Sequence, residues 1–507
     1  MDRRTFISTG VGLGVFSIVP NHVIAAASKG MVAPSDKITM VHIGCGTEGL
    51  NEINPLLQSP AIEIVGVADP NRESYDYIHW SEYGLRNQLR ELIGEPAWKE
   101  GIKGIPGGRN VMKEVIEIYY RKNRPGYKGT IAAAEDYREL LDSIKDVDAV
   151  KIMSPDHLHA YQACDCLSRG KHVIMHKPLG NKMTEAMKVA DLAKSFSLST
   201  FMMAYNSYHT GDLDLIKRWI DAGAIGTLKE VHNWSNRPVW PQYPVIPTDK
   251  PPVPDGFNWD LWLGPAEMRD YHPYYTHATF RGWYEFGAGA LADMGYYSML
   301  PVFDILKLDS ATSVRTRFSR VIGLKNNVPA TIVNDYSYPM AAAYKFEVPY
   351  KDGSGQILFE WHDGGMKPQA PEGYEEDDLP IEGMMFLGDK GAIVSGFLRQ
   401  DPVLVGNQAS LYKHIKSNKQ EGSDRLEVLP DGTEAWLQGW IDRCKNGKKG
   451  FGSFENAKEV NETFNLGSVS LMCQGKKLEY NPETRTITND AEANKLLTRK
   501  MRKGYEI

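Results

Sequence analysis

Three glycines at 44, 46 and 49 stand directly behind an apolar run, Ile38-Thr39-Met40-Val41-His42-Ile43, and leave this chain few folds to adopt. The run has the length of a buried strand, and the residues after Gly46 read as helix. A second apolar run over 62–68 ends at Asp69, twenty residues past Gly49. Strand, glycine turn, helix, strand and terminal acid together form the fingerprint of a dinucleotide-binding βαβ unit. Gly44 and Gly46 allow a tight turn and a close backbone approach to a pyrophosphate. The unpaired N–H groups opening the next helix favour that anion. Asp69 is placed to accept from the adenosine ribose hydroxyls and to repel a 2′-phosphate, so NAD is expected over NADP. Arg72, three residues on, is the group there that could hold such a phosphate.

The βα rhythm continues with a helix near 136–144, a strand over 149–153, a helix over 159–168, a strand over 172–175, a helix over 184–196 and a strand over 200–204. Strands alternating with helices mean a doubly wound parallel sheet, a Rossmann domain over 36–208. Residues 73–130, rich in charge, glycine and proline, exceed a normal connection and read as an insertion outside the core sheet, with a helix over 111–122. Beyond 208 the pattern changes to a helix over 212–222 and strands over 228–234, 313–319, 342–348, 355–361 and 383–386. These predict an α+β domain over 209–475 with a large, mostly antiparallel sheet. A proline-rich loop spans 241–254, a late helix spans 456–473, and a tail over 476–507 packs back on the body.

At 507 residues, two domains are the natural division. The net charge of −6, with both signs interspersed, lacks the basic stripe of a nucleic-acid partner. Residues 1–30 read as a signal segment: Arg3-Arg4 precede a short apolar run over 11–20 and the small residues Ala25-Ala26-Ala27. The run is too short to span a bilayer, and the paired arginines suggest a twin-arginine signal, hence export to the periplasm and no stable membrane insertion. Five scattered cysteines make no disulfide framework. Cys164 and Cys166 would point about 200° apart on a helix, so no metal site is expected.

The remaining chemistry sits where strands end. Ser154-Pro155-Asp156-His157-Leu158-His159 follows one strand and His176-Lys177-Pro178 another. With the glycine fingerprint, and with the run from Gly287 through Asp293 to Gly295, these motifs resemble the Gfo/Idh/MocA oxidoreductases (glucose–fructose oxidoreductase and inositol dehydrogenase among them). The resemblance covers nearly all of the chain apart from the signal and the insertion. It implies an NAD(H)-dependent oxidoreductase acting on a sugar or other polyol, in a homo-oligomer. It implies further that Lys177 lies beside the nicotinamide and the reacting carbinol, and that Asp293 approaches the same hydroxyl. The other reading of Asp293 is the N-cap of a helix beginning near 294. The motif carries Ser154, Pro155, His157, His159 and His176 to the cofactor as well, with Asn206 after the last Rossmann strand.

Two positions depart from the family pattern. His176 stands where a glutamate usually precedes Lys-Pro, and Tyr297 stands where a catalytic histidine usually follows the aspartate. The general base is therefore open among Lys177, His209 and Tyr297. Trp283 is expected to stack on a pyranose face, with Arg281 forking onto vicinal hydroxyls; packing at a domain seam is the alternative for both. An exported enzyme would retain its cofactor, which favours oxidation of a sugar or glycoside to a keto-sugar, as at C3, with recycling by a second substrate. Two alternatives stay open: an NAD-dependent glycosidase, lyase or epimerase using transient oxidation, and a non-catalytic sugar-binding protein of the same fold.

Overall fold

The computed structural model describes residues 37–418 and 428–507. The signal segment read from the sequence lies outside the described residues. No helix among those described is long and apolar enough to cross a membrane.

The first sheet has six parallel strands: β1 (Ile38–Ile43), β2 (Ile62–Ala68), β3 (Ala132–Ala134), β4 (Ala149–Ile152), β5 (His172–Met175) and β6 (Thr200–Met202). Their order is β3-β2-β1-β4-β5-β6. The order reverses beside β1, and ligands of open α/β sheets bind in the crevice at such a switch point. In β4 all four residues are buried, as a central strand covered by helices on both faces requires.

The insertion is shorter than the sequence suggests. Helix Arg109–Asn123 is the core crossover between β2 and β3. Its Val111, Met112, Val115, Ile116 and Tyr120 are buried, and the Ile64 N–H donates to the Tyr120 hydroxyl at 2.9 Å. The charged residues on its outer face obscured this in the sequence. The true excursion, roughly 72–108, carries a further helix, Gly84–Ile93, and bridges Ser74 to Gly107 and Asp76 to Ile105.

Eleven more strands follow among the described residues: β7 (Leu228–Trp234), β8 (Ser313–Phe318), β9 (Val321–Lys325), β10 (Val328–Ile332), β11 (Ala342–Pro349), β12 (Gln356–His362), β13 (Gly383–Gly388), β14 (Ala392–Gly396), β15 (Val403–Val405), β16 (Leu478–Asn481) and β17 (Thr486–Ile487). β9 and β10 form a ribbon of their own, and the other nine make a second sheet in the order β15-β14-β13-β7-β12-β11-β8-β16-β17. All neighbours pair antiparallel except β7 with β12. Helices Gly289–Ile305 and Lys458–Met472 cover one face. A Cβ on Gly467 would lie 2.9 Å from the Tyr344 ring, and one on Gly295 2.9 Å from the Phe464 ring, so both glycines serve close packing.

The C-terminal segment does more than pack back: β16 (Leu478–Asn481) and β17 (Thr486–Ile487) extend the sheet beyond β8. Arg499 then ties the two domains together. Its guanidinium, nearly fully buried, meets Glu185 at 2.6 Å and the Glu285 carbonyl at 3.1 Å.

Candidate active site

An open cavity of about 1130 Å³, the solvent at its mouth included, runs along the carboxyl edge of the parallel sheet. Asp69 at the end of β2, Gly44 and Gly46 after β1, Ser154 and Pro155 after β4, and His176 after β5 all line it. From β2 to β5 is three inter-strand spacings, about 14 Å. The glycine turn is built as the motif requires. Gly44 has φ +90°, and a Cβ there would sit 2.5 Å from the Met153 carbonyl carbon. A Cβ on Gly49 would lie 2.4 Å from the Gly44 oxygen, so Gly49 lets the helix close on the turn without lining the cavity. That helix, Thr47–Asn51, is one short turn and resumes as Asn54–Gln58. Any anion there meets the unpaired amides of the first turn and not a long helix dipole.

Asp69 anchors the other end. Its Oδ2 accepts from the Cys45 N–H at 2.6 Å and its Oδ1 from the Asn71 N–H at 2.7 Å. Burial pushes the Asp69 carboxyl up, and these two N–H bonds oppose the shift. Arg72 is exposed, packs over Gly256 and is not in the lining. Arg138 does line the cavity, but its guanidinium is committed to Asp136 at 2.6 Å. These residues fit NAD: a glycine turn with no room for side chains, a carboxylate for a ribose diol, and continuous space onward to His176 and Arg281.

At the β5 end the structure assembles a polar cluster from both domains. The Lys177 ammonium donates to Asp293 Oδ1 at 2.7 Å, and the Arg281 Nε lies 3.2 Å from the same oxygen. Burial pushes the Asp293 carboxyl up, but the two cations outweigh it and hold it below the ordinary carboxylate range. Asp293 is not a helix cap: the helix starts at Gly289 with Ala288 as its N-cap. Tyr297, one turn further along, lies 3.0 Å from His176 Nε2, with Lys177 Nζ 5.2 Å from its ring centroid. Desolvation and the Lys177 cation drive the His176 pKa well down, so its imidazole is neutral. Desolvation and the nearby Glu52 and Glu48 charges push the Tyr297 phenol well up.

Glu52, which belongs to no motif, stands 3.9 Å from His176 Nε2 and 3.8 Å from Lys151 Nζ. Desolvation raises its carboxyl to about 7 against the Lys151 attraction. Asp156 was also passed over; it accepts from the Ala288 N–H at 3.0 Å and so fixes the start of the helix that carries Asp293. Only the fold reveals either, by setting the ends of β1 and β5 on either side of β4 and by packing the second domain's helix start against the end of β4.

The other expected residues serve the frame. His159 reaches the Pro178 and Ser154 carbonyls at 2.7 Å each, joining the two active-site turns. His157 is buried against Trp262 and Phe286, with Nε2 2.9 Å from the Trp262 carbonyl. Asn206 lies in the short turn Tyr205–Ser207, outside the cavity lining. His209 is exposed, its ring against Tyr208 and Phe451, and is not brought to the cluster. Trp283 is no sugar platform: it is 1% exposed, donates to the Tyr274 carbonyl at 2.7 Å and packs among Tyr243 and Tyr275. Arg281 keeps a cavity position, but paired with Asp293. The excursion contributes Tyr77 to the cavity wall, where its ring meets His277 of the second domain at 3.9 Å.

Comparison with known proteins gives these features relatives. Residues 114–204 match the Gfo/Idh/MocA model described as an oxidoreductase family, NAD-binding Rossmann fold. Residues 216–328 and 393–507 match its companion, the oxidoreductase family C-terminal alpha/beta domain. Levoglucosan dehydrogenase of Pseudarthrobacter phenanthrenivorans is 32% identical over 111 residues, 21% of this chain and 28% of that protein. Inositol 2-dehydrogenase of Rubrobacter xylanophilus is 29% identical over 136 residues, 26% of this chain and 37% of that protein. Each alignment thus spans well under half of the relative. The WlbA dehydrogenase of Bordetella pertussis, solved with NADH and UDP-GlcNAcA, shares the fold at a TM-score of 0.50 and 13% identity, over 88% of this chain and 99% of that one.

Proposed function

Because this chain belongs to the Gfo/Idh/MocA oxidoreductase family, with an NAD-binding Rossmann domain, we propose that it oxidises a ring hydroxyl of a sugar or glycoside to the ketone, at C3 in the first instance. The observation that carries this reading is the Lys177–Asp293 pair, 2.7 Å apart and joined by Arg281, at the β5 end of a cavity that begins at Asp69. NAD, which the Gly44–Gly46 turn and Asp69 would hold, would supply the acceptor for the hydride of the carbinol carbon. Lys177 donates a hydrogen bond to the carbinol oxygen as negative charge develops there, and Asp293 with Arg281 holds the ammonium in place. The hydroxyl proton passes to Tyr297 as its own proton moves to His176, and the Glu52 carboxylate stabilises the resulting imidazolium. Tyr297 with His176 then does the work of the family histidine, and His209 has no part in it.

Retention of the cofactor between turnovers completes the proposal, since Tyr77 and His277 meet over the cavity from opposite domains. The chain would be exported with NAD inside; replacing both Arg3 and Arg4 by lysine should leave it in the cytoplasm, and unchanged export would refute the twin-arginine route. The functional test is to identify the nucleotide that co-purifies and to present a panel of glycosides. A keto-sugar formed with reduced nucleotide supports net oxidation. Release of an aglycone with no net reduction would replace it with redox-neutral cleavage, and neither outcome with any glycoside would refute sugar chemistry.

A further inference from the structure

Far along β7 and β12, on the sheet face away from helices Gly289–Ile305 and Lys458–Met472, three ligand-type side chains converge. Strand alternation sends Phe359 and Trp361 into the core and turns Glu360 and His362 to the other face, where Glu360 pairs in register with His232. His232 Nδ1 lies 3.8 Å and His362 Nε2 3.7 Å from the same Glu360 oxygen, Oε2. The two rings are nearly parallel, 5.9 Å apart at 11°. All the ligand atoms fall within 4.8 Å of one another.

What these atoms lack is a proton or cation between them. His232 Nε2 is 2.9 Å from Glu230 Oε2, and a carboxylate only accepts, so Nε2 carries the hydrogen and Nδ1 presents a lone pair. That Nδ1 is buried with no hydrogen-bond partner, as is His362 Nε2. His232 as a whole is 7% exposed. Two buried imidazole nitrogens without hydrogen-bond partners and a carboxylate oxygen thus face one another at distances too long for hydrogen bonds.

We infer that His232, Glu360 and His362 form a binding site for a divalent transition-metal ion of the zinc class, closed by solvent in the fourth position. With metal–ligand bonds of about 2.0–2.2 Å, tetrahedral ligand atoms stand about 3.3–3.6 Å apart, so each histidine nitrogen needs to close on Glu360 Oε2 by only a few tenths of an ångström, while the two nitrogens, within 4.8 Å of each other, close by more as the rings turn inward. The Glu230–His232 contact is the outer carboxylate that metal-bound histidines commonly have, fixing tautomer and ring orientation. Lys345 Nζ occupies the other Glu360 oxygen at 2.8 Å, which leaves Oε2 as the ligand atom. Two imidazoles and one carboxylate suit zinc over magnesium or calcium, which prefer all-oxygen shells. The ion would clamp the sheet's parallel pair, β7 and β12. Spacing gave no hint of it, because His232 and the Glu360-x-His362 pair are more than a hundred residues apart.

The test uses the whole chain, stripped with a chelator and titrated with Zn²⁺, or with Co²⁺ for its ligand-field absorption, by calorimetry and elemental analysis. About one equivalent should bind, with tetrahedral Co²⁺ bands and a rise in Tm. Glu230→Gln, which keeps all three ligands, should weaken binding about 10–100-fold, and His362→Gln should abolish the Co²⁺ bands. Circular dichroism of each variant checks that it is folded. If the native chain takes up no stoichiometric metal, or if folded His362→Gln and His232→Ala bind it as tightly as the native chain, the inference is wrong; a cluster that only gains a proton gives the first of these results.

Discussion

Replacing Lys177 by methionine keeps the aliphatic stem and removes the ammonium that Asp293 and the substrate oxygen share. Loss of a positioned acid–base or hydrogen-bonding group costs about 10²–10⁴-fold in rate, or about 3–5 kcal/mol of barrier. The loss should fall on the hydride-transfer step, because the bond to oxygen strengthens as charge develops. Stability is not untouched. Orphaning a buried charge costs about 3–5 kcal/mol, but Arg281 stays 3.2 Å from Asp293 Oδ1 and keeps part of the pairing, so about 1–2 kcal/mol is expected. Lys177→Met with Asp293→Asn leaves Arg281 as the unpaired buried cation, so the double variant should be no more stable than the single one and should not recover the rate. The assay is single-turnover reduction of bound NAD by an oxidisable glycoside, beside urea denaturation of the native chain and both variants. NAD affinity should change by less than a few-fold. If Lys177→Met turned over within a few-fold of the native protein, Lys177 would not be the oxygen's partner. If the double variant were clearly more stable than the single one, the pairing of Arg281 with Asp293 would not matter to the fold.

Other outcomes follow from the same site. Glu52, whose carboxyl lies at about 7 in the fold against an ordinary 4.5, holds its proton where the unfolded chain has lost it. Its contribution is therefore full below about pH 4.5 and fades as pH rises through 7, by up to about 3 kcal/mol. Denaturation from pH 5 to 8 should show native stability falling relative to Glu52→Gln; parallel curves would mean that Glu52 titrates normally. Asp69→Ala should narrow the preference for NAD over NADP and, by stranding the Cys45 and Asn71 N–H groups, cost about 1–3 kcal/mol. Calorimetry with both nucleotides decides it: an unchanged affinity ratio would shift nucleotide choice to another group of the cavity lining, such as Arg138.

The Rossmann half was legible because each of its signals is local. A glycine turn, a strand-end acid and apolar runs of strand length are all written in consecutive residues, and the observed β1, β2 and β5 match the expected runs. Crossover helix Arg109–Asn123 was read into the insertion because only one of its faces is apolar, and charged neighbours dominated the window. Strands toward the two edges, β14 to β17, are only two to five residues long, so alternation had little to work on. At the site, Lys177, Asp293 and Tyr297 were legible through family spacing, but their geometry was not. No pattern says that Trp283 turns into an aromatic core, that His209 faces solvent, or that Glu52, more than a hundred residues before His176, comes to stand beside it. Those facts depend on which strand edges lie next to each other.

Tyr505 lies in the wall of the nucleotide cavity, against Tyr161 and beneath Arg138. The same segment carries the Arg499 clasp between the domains, so cavity wall and clasp form one mechanical unit. A change that frees Arg499 from Glu185 would also loosen Tyr505, and the first sign of it would be faster exchange of bound nucleotide, ahead of any loss of the fold.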